Sequence, residues 1–231
     1  MKFVSPKIDY AFKKIFGSQQ SQDILISFLN AIIYGGKKTI QSLTIVYPFN
    51  PGQVISLKDT YLDEKAVLVD GSVVVIEMQV AYNLAKTYAN QLETGEDYLL
   101  LNPAIAVTIT DFILFDKNED VINKFVFKQE AKNFKFLEEE LQLFFVELPK
   151  FKKNLSELHS LSDKWIYFLK GASRLDEIPE NLREVSEIEK ALNIANKINM
   201  TAEELDIVDR RGMLMQDERG RITYAEQKGQ Q

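Results

Sequence analysis

Neither a cysteine nor a second histidine occurs in this chain of 231 residues. Without thiols there is no thiolate nucleophile, no disulfide framework and no cysteine-based zinc or iron–sulfur site. The lone histidine, His159, cannot build a multi-histidine metal centre, and its polar surroundings, LSELHSLSDKW, suit a surface or capping residue. No stretch approaches the ~18–20 consecutive apolar residues of a membrane-spanning helix. The start, MKFVSPKIDYAFKK, lacks the uninterrupted apolar segment of a signal peptide, so a soluble cytoplasmic protein is expected. The groups left to do chemistry are carboxylates, lysines, hydroxyls and amides, with a hard metal such as magnesium, which prefers oxygen ligands. That inventory suits hydrolytic phosphate chemistry.

What is present suffices for a core: 45% of residues are hydrophobic and 27% charged, enough for one domain with an appendage. In SPKIDYAFKKIFGSQQSQDILISFLNAIIYGG, Tyr10, Phe12, Ile15 and Phe16 cluster, while Ile24, Leu25, Phe28, Leu29 and Ile32 recur at helical spacing. Two helices are expected, the first starting at Pro6 behind Ser5. Further along, the pattern predicts a strand over 40–47, a hairpin over 61–80, a helix ending near Gly95, and strands over 104–115 and 141–148. Beyond Pro149 the periods are helical, with Thr201 and Glu204 spaced as a capping box. Trp165, Tyr167, Phe168 and Leu169 are expected in the core, and the last helix, around Met213, Leu214 and Ile222, as a solvated or partner-binding face. The expected architecture is an α/β sheet covered on its faces and followed by an α-helical tail.

The hairpin YLDEKAVLVDGSVVVIEMQV carries acids where a buried strand should be apolar. Strand alternation puts Val73, Val75, Glu77 and Gln79 on one face, and Asp63, Lys65, Val67 and Val69 together on the partner strand. A two-residue Asp70-Gly71 turn would pair Asp63 with Met78 and set it on the face opposite Glu77. A three-residue turn, Val69-Asp70-Gly71 with Gly71 left-handed, pairs Asp63 with Glu77, and glycine at the third position favours that register. Paired carboxylates repel unless a cation sits between them, and a divalent ion fits.

These residues are parts of a wider likeness. SPKIDYAFKKIFG at the start, LD at 62–63, DG at 70–71, IEMQV at 76–80, AKTYANQLETGEDYLLLNP at 85–103 and DKWIYFLK at 163–170 together resemble the PD-(D/E)XK nuclease family transposases, also described as recombination-promoting nucleases. The resemblance implies a restriction-endonuclease-like mixed sheet flanked by helices over 1–149, with an α-helical C-terminal extension over 150–231. It implies magnesium-dependent hydrolysis of DNA phosphodiester bonds, with manganese as a substitute ion. Matched position by position, Asp63 is the first metal ligand, Glu77 the second and the Met78 carbonyl a third. Asp9 corresponds to an acid that some relatives add from their first helix. Gln79 stands where the motif usually has lysine, leaving Lys65 and Lys86 as candidate sources of positive charge.

Against that pattern, the connection from Val80 to the AKTYANQL helix is short, and the net charge is −6. A catalytically inactive relative, acting as a DNA- or protein-binding module, is the alternative reading. DNA would meet local lysines: Lys13 and Lys14, Lys37 and Lys38, or Lys150, Lys152 and Lys153. The C-terminal helices offer a surface for a homodimer.

Overall fold

The structure is a computed structural model that describes residues 2–46, 49, 64–77, 91, 101–129, 131–132, 134–135 and 140–229, with the backbone alone for 64, 77, 218–219 and 221–229. Its centre is a mixed six-stranded sheet in the order β1-β2-β3-β4-β6-β5. The strands are β1 (Leu43–Ile45), β2 (Glu64–Leu68), β3 (Val73–Glu77), β4 (Ala104–Thr110), β5 (Ile122–Phe125) and β6 (Leu141–Glu147). β3, β4 and β6 run parallel, and β1, β2 and β5 are antiparallel to their neighbours. The parallel strands need cover on both faces, so β4 is buried at every position. This is the α/β class expected from the sequence.

Six helices are described: α1 (Asp9–Phe16), α2 (Gln22–Tyr34), α3 (Leu161–Gly171), α4 (Glu180–Arg183), α5 (Ser186–Ala195) and α6 (Ala202–Gly229). One hydrophobic cluster joins Val74, Ile76, Ile105, Val107 and Ile109 of the sheet to the inner faces of α1, α2, α3 and α5. At its heart Phe16, Phe28, Trp165 and Phe168 stack at centroid distances of 5.1–6.4 Å, and the Trp165 indole donates to Ser27 Oγ at 3.1 Å. Aromatic pairs in this geometry add ~0.5–1.5 kcal/mol each beyond area burial. Trp165 thus packs on the two N-terminal helices. A short antiparallel bridge fastens the chain start to the end of α5: Phe3 pairs with Asn196, Val4 N–H donates to Ala195 O (2.8 Å) and Lys197 N–H to Lys2 O (2.9 Å).

Three expectations need correction. α1 begins at Asp9, not Pro6, because Ser5–Ile8 closes a turn of its own, with Ile8 N–H donating to Ser5 O at 3.1 Å. The strand expected over 104–115 stops at Thr110. Its hydroxyl donates to Phe112 O (2.9 Å), and Leu114 and Phe115 give their N–H groups to the Glu147 carboxylate rather than to a ladder. β5, absent from the sequence reading, forms the edge beside β6. The Thr201–Glu204 capping box is present: Thr201 N–H donates to Glu204 Oε2 (2.9 Å) and Glu204 N–H to Thr201 Oγ1 (3.2 Å). The helix expected to end near Gly95 falls outside the described residues.

Candidate active site

The β2–β3 hairpin has the three-residue turn. Lys65 pairs with Val75 and Val67 with Val73, and the Leu68 N–H donates to Ser72 O at 2.9 Å. Gly71 has φ 84°, which an L-residue rarely adopts, and a Cβ there would meet the Asn102 side chain at 2.5 Å. Asp70 Oδ1 accepts from Ser72 N–H (2.9 Å), closing an Asx turn. The turn chemistry therefore sets the register, and a one-residue slip would reverse every side chain.

That register defines a face. Residues paired across strands share a side, so Lys65, Val67, Val73 and Val75 lie together with the Glu77 position. Through the parallel ladders they align with Ala104, Ala106, Thr108 and Thr110 of β4 and with Leu141, Leu143, Phe145 and Glu147 of β6. Ala104 and Ala106 form a second, small hydrophobic cluster with Leu141 and Leu143. At its C-terminal end the face turns polar. Glu77 is the direct partner of Thr108, whose hydroxyl is fully buried and has no hydrogen-bond partner. An unsatisfied buried hydroxyl costs ~1–3 kcal/mol, and such groups commonly mark the place of an unseen water or ion. Lys65 is half-buried on the same face and makes no ion pair among the described residues.

Two strands away, Glu147 is the opposite case. It is fully buried and saturated: Oε1 accepts from Leu114 N–H (2.6 Å) and Phe115 N–H (3.0 Å), and Oε2 from Asn123 Nδ2 (3.0 Å) and Lys150 Nζ (2.5 Å). Burial alone would raise its carboxyl pKa, but the Lys150 hydrogen bond and the Phe115 and Leu114 N–H groups outweigh it and hold the group below the usual carboxylate range. With every lone pair occupied, Glu147 is a clamp on residues 114–115 and no candidate for chemistry.

The start of α1 comes to the same end of the sheet, because Lys7 Nζ lies 3.1 Å from Asp111, directly after β4. Asp9 follows in the first turn of α1, where Oδ2 is 3.3 Å from Arg211 Nη1 of α6, both side chains nearly buried. One turn on, Glu204 of α6 accepts from Tyr10 Oη (3.0 Å) and Lys14 Nζ (2.5 Å). Burial, opposed by Lys14, the Thr201 N–H and Tyr10, leaves the Glu204 carboxyl below its ordinary range. Asp9 is thus an ion-pair partner within a buried polar seam between α1 and α6. The pattern reading missed this seam because its members are separated by most of the chain.

Of the other residues singled out from sequence, Asp63, Met78, Gln79 and Lys86 lie outside the described residues, and of Glu77 only the backbone is described. Within the AKTYANQL motif, Gln91 is described. Its amide clasps the backbone of Asn102, donating to the carbonyl (3.0 Å) and accepting from the N–H (2.9 Å) just before β4. Three of the seven lysines in the proposed patches are committed elsewhere: Lys14 to Glu204, Lys150 to Glu147 and Lys153 to Asp163. Lys152 remains exposed. His159 is exposed, as expected. Among the described residues no group of three or more histidine or acidic side chains is placed to hold a metal, and no helix is long and apolar enough to cross a membrane.

Comparison with known proteins agrees with the order of motifs. No curated protein and no solved structure matches the chain. A family model described as PD-(D/E)XK nuclease family transposase matches residues 6–225, nearly the whole length and both the sheet and the C-terminal helices. The mixed sheet with flanking helices is consistent with the PD-(D/E)XK nuclease fold, and on the breadth of that match the chain belongs to the PD-(D/E)XK nuclease family transposases.

Proposed function

We propose that the protein is a magnesium-dependent DNA endonuclease of the recombination-promoting type. Its active centre is built on the C-terminal end of the β2–β3 face. The observation that supports this reading is the hairpin register: Glu64 pairs with Ile76, which is the three-residue-turn register in which the sequence pairs Asp63 with Glu77. PD-(D/E)XK nucleases typically use divalent metal ions. The donors fit one, because an acid position lies beside the buried, unpartnered hydroxyl of Thr108 and all candidate ligands are oxygens.

In this reading Asp63, Glu77 and the Met78 carbonyl would hold the ion, with Asp9 as a further acid from α1 once its pair with Arg211 opens. When bound, magnesium, or manganese in its place, supplies Lewis-acid stabilisation of charge on the phosphate oxygens and lowers the pKa of a water. The chain's own groups do the rest. Gln79 orients the attacking water through its amide, which can accept and donate. The Thr108 hydroxyl offers a further donor within the buried floor. Lys65 and Lys86 provide the positive charge that the motif lysine supplies in most relatives and that Gln79 cannot. The exposed Met213 and Leu214 of α6 offer a homodimer surface, and the expected location is the cytoplasm.

Supercoiled plasmid incubated with magnesium or manganese should be nicked to the open-circular form, and chelation should stop it. Plasmid left intact by every divalent ion but still retained by the protein would instead mark an inactive binding module. Gln79→Lys discriminates further. It restores the usual motif cation and should raise the nicking rate several-fold if charge limits the reaction. An unchanged rate would show that Lys65 or Lys86 already supplies it.

A further inference from the structure

Chain-wide charge argues against a polyanion: 34 acids face 28 lysines and arginines. Yet four cations gather at one end of the sheet from three separate segments. Lys170, in the last turn of α3, donates through Nζ to Phe151 O and so draws the irregular 151–152 segment, which follows the 3-10 turn after β6, against the helix. Lys152, next in the chain, is exposed. Arg174 lies one turn beyond Lys170, in the 3-10 turn that follows α3, and is exposed as well. Lys7 reaches the same place from the other side, held to Asp111 at 3.1 Å. Lys170 lies within electrostatic reach of Lys152, Arg174 and Lys7, with Asp111 as the acid in that set.

We propose that Lys7, Lys152, Lys170 and Arg174 form a cradle for the phosphodiester backbone of DNA, which they lead past the C-terminal ends of β3 and β4. The proposal rests on the nuclease reading and deepens it by naming where the substrate lies. Its geometry follows from the ladder: Asp111 comes three residues after Thr108, the partner of Glu77. Lys7 and Lys170 approach with the helices that cover the other face, so a strand held there reaches the Glu77 position by crossing the C-terminal end of β4. Even with Lys7 paired to Asp111, cations outnumber the acid in this set, and an acidic protein gains nothing for solubility from concentrating them; a bound polyanion offsets the repulsion. Burial first, then Lys152, Arg174 and Lys7, opposed by Asp111, hold the Lys170 ammonium below the ordinary lysine range. A small anion would need one focus. Cations spread over an α1 approach, the loop after β6 and a helix end match successive phosphates instead.

The test uses the double variant Lys152→Gln/Arg174→Gln, two exposed side chains with no hydrogen bonds to lose, checked for the wild-type urea midpoint. Binding of a fluorescein-labelled duplex is read by anisotropy in EDTA, and nicking is read separately with magnesium. The proposal expects weaker duplex binding, a higher KM with kcat unchanged, and a salt slope shallower by about 0.9 for each phosphate contact removed. If the wild type binds duplex but never nicks, and the variant loses binding, the cradle stands and the nuclease reading fails. If the wild type nicks and the variant nicks with the same KM and salt slope, the cradle is overturned and the nuclease reading stands. Wild-type protein that ignores duplex, or prefers phosphatidylserine vesicles or single-stranded RNA to it, also overturns the cradle.

Discussion

Glu77→Ala is expected to abolish plasmid nicking to within a thousandth of the wild-type rate, and Asp63→Ala should match it. Each change removes one carboxylate from the proposed metal site. A loss of several kcal/mol of transition-state charge stabilisation corresponds to ~10³-fold or more. Duplex binding in EDTA should survive both changes, because the proposed phosphate contacts lie on other segments. Gln79→Ala should cost far less, since one neutral hydrogen bond to a water is worth about 1 kcal/mol. Calorimetric titration of magnesium into wild type and Glu77→Ala separates the roles. Equal binding by both would remove Glu77 from the metal site.

The second large effect concerns stability. Lys150→Met should destabilise the fold by about 3–5 kcal/mol, because it strands the Glu147 carboxylate in a fully buried position without its cation. Glu147→Gln/Lys150→Met, which removes both charges, should recover much of the loss. Urea denaturation of the two single variants and the double gives the coupling. The pH dependence follows the sign of the shift. In the folded state the Glu147 carboxyl sits below its unfolded value, so its contribution is present above the unfolded pKa and lost as pH falls through the folded one. Wild-type stability should therefore drop in acid. Lys150→Met should drop less, since its carboxyl is governed by burial. A cost under about 1 kcal/mol for Lys150→Met would show that the backbone donors alone satisfy Glu147.

Why some of this was legible in the sequence and some was not comes down to range. The hairpin register could be read because it depends on three adjacent residues, and only glycine tolerates the φ that Gly71 adopts. The capping box over Thr201 and Glu204 is equally local. The end of β4 was not legible. DFILF is apolar enough for a strand, and what diverts it is an acid 33 residues downstream of Leu114 that takes its N–H. β5 escaped notice because INKF alternates too briefly to signal a strand, and its pairing with β6 makes it one. At the candidate site, Lys65 and Glu77 stood out as charges in an apolar run. Thr108 did not, since a threonine within AIAVTIT reads as an ordinary strand former, and only the fold reveals that its hydroxyl is unpartnered. Arg211 beside Asp9, and the cradle lysines, are brought together only by tertiary packing.

The bridge between Phe3 and Asn196 also dictates an order of events during synthesis. That bridge, and the Asp9–Arg211 pair beyond it, join α1 and the residues before it to partners far along the chain. A ribosome that has released the first helix and the whole sheet has not yet supplied the partners of either. Contacts of such long range slow folding and come late, because the intervening loop must be closed before they repay it. The polar seam between α1 and α6 is thus closed only after Arg211 has been made, although α1 already packs on α2 through Phe16 and Phe28. A nascent chain that stops between the sheet and α6 would carry the sheet without that closure, so Asp9 would lack its Arg211 partner until α6 has been made.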